Sequence, residues 1–208
     1  MCGRYLIEDD TIADIYAGME AGMGMATTTT FTSYMASLST NAADFMRGEV
    51  FPTNIVPVIT RDGAAAIKWG FPHWKNASVI INARAETAHE KSMFRFSLAE
   101  RRCVVPSSGF YEWERVSGRK KKDKYLLRLP GEKLLCMAGI MNTFCDAAGA
   151  EYCAFVILTT TAAGAVARIH DRMPVILSPD ERELWLGDMA FTQNALIRHG
   201  PDLELIKA

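Results

Sequence analysis

Two β-rich runs, residues 55–60 and 64–69, are set apart by the turn signal Asp62-Gly63, and a chain written this way closes as an antiparallel hairpin. A second hairpin is expected where Pro130-Gly131-Glu132 joins the runs 124–129 and 133–141. Further strands are expected at 79–82, which ends in a polar residue, at 104–106 and 109–113 around a Ser-Ser-Gly turn, and over the buried run 152–159. Helix signals are fewer. Asp9 opens a short amphipathic stretch with Ile12, Ile15 and Tyr16 on one side, and Thr87 with Glu90 has the spacing of a capping box for a helix running to about Arg101. Ser178-Pro179-Asp180-Glu181 starts a late helix that Gly187 ends, and a shorter one is expected over 192–199. Strands outnumber helices and hairpins connect them. The expected fold is therefore α+β, a mainly antiparallel, curved or barrel-like β-sheet with flanking helices, in one domain over 1–208. Residues 17–46, rich in Gly, Met, Ala, Ser and Thr, read as a variable segment.

Composition narrows the function classes. A formal net charge of −1 gives no global attraction to a polyanion, so any nucleic acid must meet a local basic face. The five cysteines, at 2, 103, 136, 145 and 153, are odd in number and contain no CxxC pair. They therefore suggest neither a disulfide framework nor a zinc site. No cofactor or metal is expected. With charges at Arg4, Glu8, Asp9 and Asp10 and no long apolar run, the chain reads as a cytoplasmic protein without signal peptide or membrane partner.

The chemistry concentrates first in Met1-Cys2-Gly3-Arg4-Tyr5. Cys2 is small, so removal of Met1 is expected, leaving an α-amine and a thiol on one residue. A 1,2-aminothiol captures aldehydes: the amine forms an imine and the thiol closes on it to give a thiazolidine. With an α-amine titrating near ~8 and a thiol near ~8.5, both are usable near neutrality without special tuning. The ordinary alternative is a small residue opening a strand.

Three other segments hold polar residues in unusual company. Asn82, Arg84 and Glu86 follow a strand end, where turn and capping roles are also common. Glu112 lies between Tyr111 and Trp113, and a carboxylate pressed against rings is suited to proton transfer, though a water-facing strand residue would read the same way. His170 stands between a small-residue segment and a strand, where a structural role is equally open. The run Arg119-Lys120-Lys121-Lys122 reads as a solvated loop and is left out of the site.

The order of five motifs, MCGRY (1–5), KWGFP (68–72), INARAET (81–87), RRCVVPSSGFYEW (101–113) and IHDRMPVIL (169–177), resembles the SOS response-associated peptidase (SRAP) family over nearly the whole chain outside residues 17–46. The resemblance implies a protein that shields abasic sites in single-stranded DNA by covalent attachment. It implies Cys2 as the capturing residue and Asn82 as the group that holds it and the sugar. Glu112 would be the proton shuttle for imine formation, β-elimination and reversal, and His170 would assist sugar ring opening and steady the 3′ phosphate. For the DNA itself it implies Arg4 and Arg84 as phosphate ligands, Trp69 and Trp113 along the groove, Pro52 in a wedge loop, and Thr159 beside the site. Phe51-Pro52-Thr53-Asn54 departs from the family's usual Ala-Pro-Thr-Gln.

Two other functions compete. One is a peptidase with Cys2 as nucleophile and His170 as base, its activity limited to removal of its own Met1. The other is a single-stranded DNA-binding module without covalent chemistry, whose affinity would depend mainly on salt.

Overall fold

The computed structural model describes residues 2–8, 48–114 and 122–208. The helix expected from Asp9 and the whole segment 17–46 lie outside them, as does most of the basic run 119–122. In chain order the strands begin with β1 (Arg4–Ile7), β2 (Gly48–Val50), β3 (Ile55–Thr60), β4 (Gly63–Trp69), β5 (Phe71–Pro72), β6 (Val79–Ile80) and β7 (Asn82–Arg84). After helix α1 (Ser92–Glu100) come β8 (Arg102–Ser107), β9 (Gly109–Trp113), β10 (Lys124–Arg128), β11 (Leu135–Cys145), β12 (Glu151–Thr161), β13 (Arg172–Pro174) and β14 (Ile176–Leu177). Helices α2 (Glu181–Gly187) and α3 (Met189–Ile197) then precede β15 (Glu204–Lys207).

The strands β12, β4, β3, β8 and β11 pair in that order, and β11 pairs back onto β12, which closes a five-stranded barrel. A second sheet, in the order β15-β10-β9-β1-β2, packs beside it. The fold is α+β and barrel-like, as the hairpin signals predict. Strand β12 shows why its sequence is apolar throughout. Phe155 and Ile157 point into a cluster with Tyr5, Trp69, Phe110 and Leu127, which joins the barrel to the second sheet. Ala154, Val156 and Leu158 point the other way, into a cluster with Phe94, Leu98 and Trp185 from the helices. A strand buried on both faces loses the usual alternation.

Only Ser108 separates β8 in the barrel from β9 in the second sheet. The crossing brings the backbones so close that a Cβ at Gly109 would lie 2.5 Å from the Leu127 carbonyl oxygen. Glycine is required there.

Several local expectations are corrected. The runs 124–129 and 133–141 are both strands but not a hairpin: β10 pairs β9 and β15, while β11 pairs β8, β12 and β14. The turn at Gly131, with φ of 73°, passes the chain from one sheet to the other. The run 79–82 is split into β6 and β7. Thr87 and Glu90 cap no helix. Ala85–Thr87 form a 3-10 turn, the Glu90 and Lys91 amides donate to the Thr87 carbonyl at 3.2 and 3.3 Å, and α1 starts at Ser92. Its position is set by burying Phe94 and Leu98, four residues apart, rather than by the cap. The last helix begins at Met189 rather than 192, because the Asp188 carboxylate accepts from the amides of Ala190 and Phe191 at 2.7 and 3.0 Å. Helix α2 starts at Glu181 with Asp180 as its N-cap and no side-chain capping bond, so Ser178 and Pro179 precede it, and Glu181 reaches back to accept from the Ser178 amide at 2.8 Å.

A buried Arg102 ties the helices to the barrel. Its guanidinium donates to the carbonyls of Leu98 and Ala99 at the end of α1 and to those of Trp185 and Leu186 near the end of α2. Those are carbonyls that a helix end leaves without internal partners, at the negative end of its dipole.

Candidate active site and nucleic-acid face

The end of β12 gathers the chemistry. Its residues Ile157, Leu158 and Thr159 pair in parallel with Asn82, Ala83 and Arg84 of β7, while Thr159, Thr160 and Thr161 pair antiparallel with Pro174, Met173 and Arg172 of β13. Asn82 and His170 are thereby carried to one end of the barrel, on either side of a shared strand. The chain's start enters the same place: Asn82 Nδ2 donates to the Cys2 carbonyl at 2.9 Å. Arg4 pairs with Tyr111 across β1 and β9, so Glu112 is one residue beyond that pairing and its charge is felt by the Cys2 thiol.

Cys2 is wholly buried and Glu112 is 3% exposed. Burial pushes the Cys2 thiol far up, the Glu112 carboxylate pushes it further, and only weaker effects oppose them, among them the contact of Sγ with the Arg4 carbonyl at 3.6 Å. In the chain that carries Met1 the thiol is thus held far above its ordinary range. Its Cys2 is protonated at neutral pH. An elevated folded-state pKa also makes stability fall as pH rises past ~8.5, where the unfolded chain gives up a proton that the folded chain keeps. Near neutrality, iodoacetamide is expected to label exposed Cys145 and Cys153 and to spare Cys2, Cys103 and Cys136, whose thiol burial pushes up to about 11. Peptide mass mapping reads the pattern; Cys2 labelling as fast as Cys153 in folded protein would contradict it.

His170 is buried, and its Nδ1 lies 2.9 Å from both the Arg172 amide and the Asp171 carboxylate. Accepting the amide proton leaves the neutral ring's own proton on Nε2, and protonating the ring instead turns the Asp171 contact into an ion pair. The Arg172 side chain was not singled out in the sequence, yet it fastens the site. It makes a bidentate pair with Glu86 at 2.6 and 2.7 Å and donates to the Thr159 carbonyl. This hydrogen bonding outweighs partial burial and holds the Glu86 carboxyl below its ordinary range.

The residues expected to face DNA divide. Arg84 is exposed and has no ion-pair partner among the described residues. Arg4 is half-buried, paired with Glu49 at 3.0 Å, and lies over the rings of Phe51 at 4.4 Å and Trp113 at 5.3 Å. Trp113 is half-buried and Pro52 half-exposed, the latter in a turn where Asn54 Oδ1 accepts from the Phe51 amide at 2.8 Å. Trp69 and Thr159 are corrections. Trp69 is 0% exposed, packs on Tyr5 and Phe155, and donates Nε1 to the Ile81 carbonyl at 3.1 Å, so its ring offers no face to a base. Thr159 is likewise buried, its hydroxyl turned to the Ala83 carbonyl, and belongs to the wall of the site.

The exposed tryptophan is Trp74, at 71%. It stacks on His73 with centroids 4.8 Å apart and, with Asn82, Arg84, Lys91 and Met93, lines a groove. A sequence signal for it existed: Trp74 sits in the polar turn His73-Trp74-Lys75-Asn76, whereas Trp69 ends an apolar strand. Among the described residues no group of three or more His, Cys, Asp or Glu is arranged to hold a metal ion, and no helix is long and apolar enough to cross a membrane.

A site that sets the Asn82 amide on the Cys2 carbonyl and the Glu112 charge near the Cys2 thiol, with His170 where strand β12 ends, defines a class of protein. The chain belongs to the family described as SOS response associated peptidase (SRAP), whose model matches residues 1–204. Among its relatives are abasic site processing proteins. YoaM of Bacillus subtilis is 36% identical over 158 residues, 69% of each chain. YobE of Bacillus subtilis is 32% identical over 166 residues, 74% of this chain and 75% of that one. YedK of Escherichia coli is 34% identical over 119 residues, 57% of this chain and 52% of that one. Among solved structures, a protein from Bacteroides thetaiotaomicron superposes with a TM-score of 0.77 at 25% identity, covering 99% of this chain and 91% of the other. One from Bordetella bronchiseptica gives 0.75 at 22% identity, covering 100% and 99%.

Proposed function

We propose that this protein binds single-stranded DNA at an abasic site and, once Met1 has been removed, captures the sugar aldehyde through Cys2. The observation that carries the reading is the Asn82 amide on the Cys2 carbonyl, which fixes the first residue of the processed chain within the site. Asn82 Oδ1 is buried without a partner among the described residues, which leaves an acceptor for a sugar hydroxyl. The relatives' activity on abasic sites agrees with this assignment.

In the proposed sequence the Cys2 α-amine attacks C1′ of the ring-opened sugar, and loss of water leaves an imine. The thiol then adds across the C=N bond: Sγ bonds to C1′ and the proton passes to nitrogen, closing the thiazolidine. Glu112 shuttles protons in both steps, and His170 promotes ring opening. From the imine, removal of a C2′ proton breaks the C3′–O bond and expels the 3′ phosphate, a lyase reaction that competes with ring closure. Arg84 holds backbone phosphate while Trp74 and Trp113 offer ring faces to bases. The peptidase alternative needs a Cys2 thiolate while Met1 is still attached, and burial of that thiol opposes it.

The test uses processed Cys2→Ser protein, which keeps the amine but loses the thiol. It is expected to give an abasic-site adduct only when borohydride is added to reduce the imine, whereas the wild type gives one without reductant. A reductant-independent adduct on Cys2→Ser would exclude the thiazolidine.

A further inference from the structure

The Arg4–Glu49 pair has a third member. Glu49, on edge strand β2, takes Arg4 Nη1 at 3.0 Å on Oε1 and Lys124 Nζ at 2.7 Å on Oε2. Lys124 belongs to β10 and reaches this carboxylate across β9 and β1, with its ammonium 3.8 Å from the Tyr111 ring centroid and 5.8 Å from that of Trp113. Two cations from different strands thus converge on the two oxygens of one anion, between aromatic rings. All three side chains keep some contact with solvent: 38% for Arg4, 24% for Glu49 and 25% for Lys124. Partial burial of Glu49 would raise its pKa, but the hydrogen bonds from Lys124 and Arg4 prevail and hold it low, so it stays charged at neutral pH.

We infer that Glu49 stands in for a nucleic-acid phosphate: it holds Arg4 and Lys124 as a preformed pair, and a backbone phosphate of single-stranded DNA takes its place between them. The inference rests on the DNA-binding reading above and adds Lys124 and Glu49 to it. Two oxygens of a phosphate present themselves to cations much as a carboxylate does. A solvated ion pair holds its partners weakly, whereas a DNA phosphate gains further from the counterions it releases. Because Glu49 lies on a sheet edge, its side chain can leave without unpairing a neighbour. The carboxylate then acts as a built-in competitor, lowering affinity for undamaged strands.

The experiment is fluorescence anisotropy of a labelled, undamaged single-stranded oligonucleotide over a salt series. Glu49→Gln is expected to tighten binding about 5-fold or more, and Lys124→Ala to weaken it by a similar factor and reduce the salt slope by about one. In the Lys124→Ala background, Glu49→Gln should gain less than in the wild type. Inorganic phosphate should compete no better than chloride at equal ionic strength. The inference is overturned if Glu49→Gln binds no tighter, if Lys124→Ala keeps the full salt slope, or if inorganic phosphate displaces the strand selectively, which would make this a site for the free anion. Since the probe has no abasic site, these shifts are separate from covalent capture. Shifts without capture would remove the proposed chemistry and keep the phosphate site; capture without shifts would do the reverse.

Discussion

Processed Glu112→Gln is expected to capture abasic-site DNA roughly 10²–10⁴-fold more slowly than wild type, the range typical for loss of a positioned general acid–base. Its affinity for the same strand should change by no more than about twofold, since Glu112 is 3% exposed and is not among the groups facing DNA. The amide is nearly isosteric with the carboxylate, so the neighbouring Tyr111 and Trp113 keep their packing. Imine formation needs a proton delivered to the departing water, and closure needs one carried from sulfur to nitrogen; a glutamine can do neither. Single-turnover capture and anisotropy on one protein preparation separate the two effects. A parallel loss of binding and capture would make Glu112 a structural residue of β9.

Arg102→Met should have the largest effect on stability while leaving the site's residues in place. The substitution keeps an unbranched chain but removes every donor to the carbonyls of Leu98, Ala99, Trp185 and Leu186. Each buried carbonyl left unpaired costs on the order of 1–3 kcal/mol, against which the protein no longer buries a charge. A net loss of about 3 kcal/mol is expected, which for a chain of this size lowers Tm by roughly 6–12 °C. Thermal unfolding followed by circular dichroism measures it. A Tm within about 2 °C of wild type would mean that water replaces the guanidinium at both helix ends.

What could be read from the sequence depended on the range of the interaction. The hairpin of β3 and β4 was legible because Asp62-Gly63 joins strands that pair with each other. The same kind of signal misled at Pro130-Gly131-Glu132: local chemistry says that the chain turns, but not which sheet receives it. Asn82 stood out at a strand end, Glu112 between aromatics and His170 between a small-residue segment and a strand, and the order of their motifs carried the family resemblance. Choosing between Trp69 and Trp74 required knowing which lay against Phe155 and which faced solvent. Arg172 and Glu86 are 86 positions apart, and Glu49 and Lys124 are 75 apart. Neither pair has a local pattern. Their association follows from strand pairing that only the folded chain displays.

The central claim is that the first residue captures DNA with its amine and thiol together, and its most direct test is a denaturing gel. Processed wild type, Met1-retained protein and processed Cys2→Ala are each incubated with a single-stranded oligonucleotide carrying one abasic site, after intact mass has confirmed each amino terminus. A heat-stable shifted band is expected for processed wild type alone. A band of equal intensity with Met1 retained, or none from processed protein that binds the same strand, would contradict it.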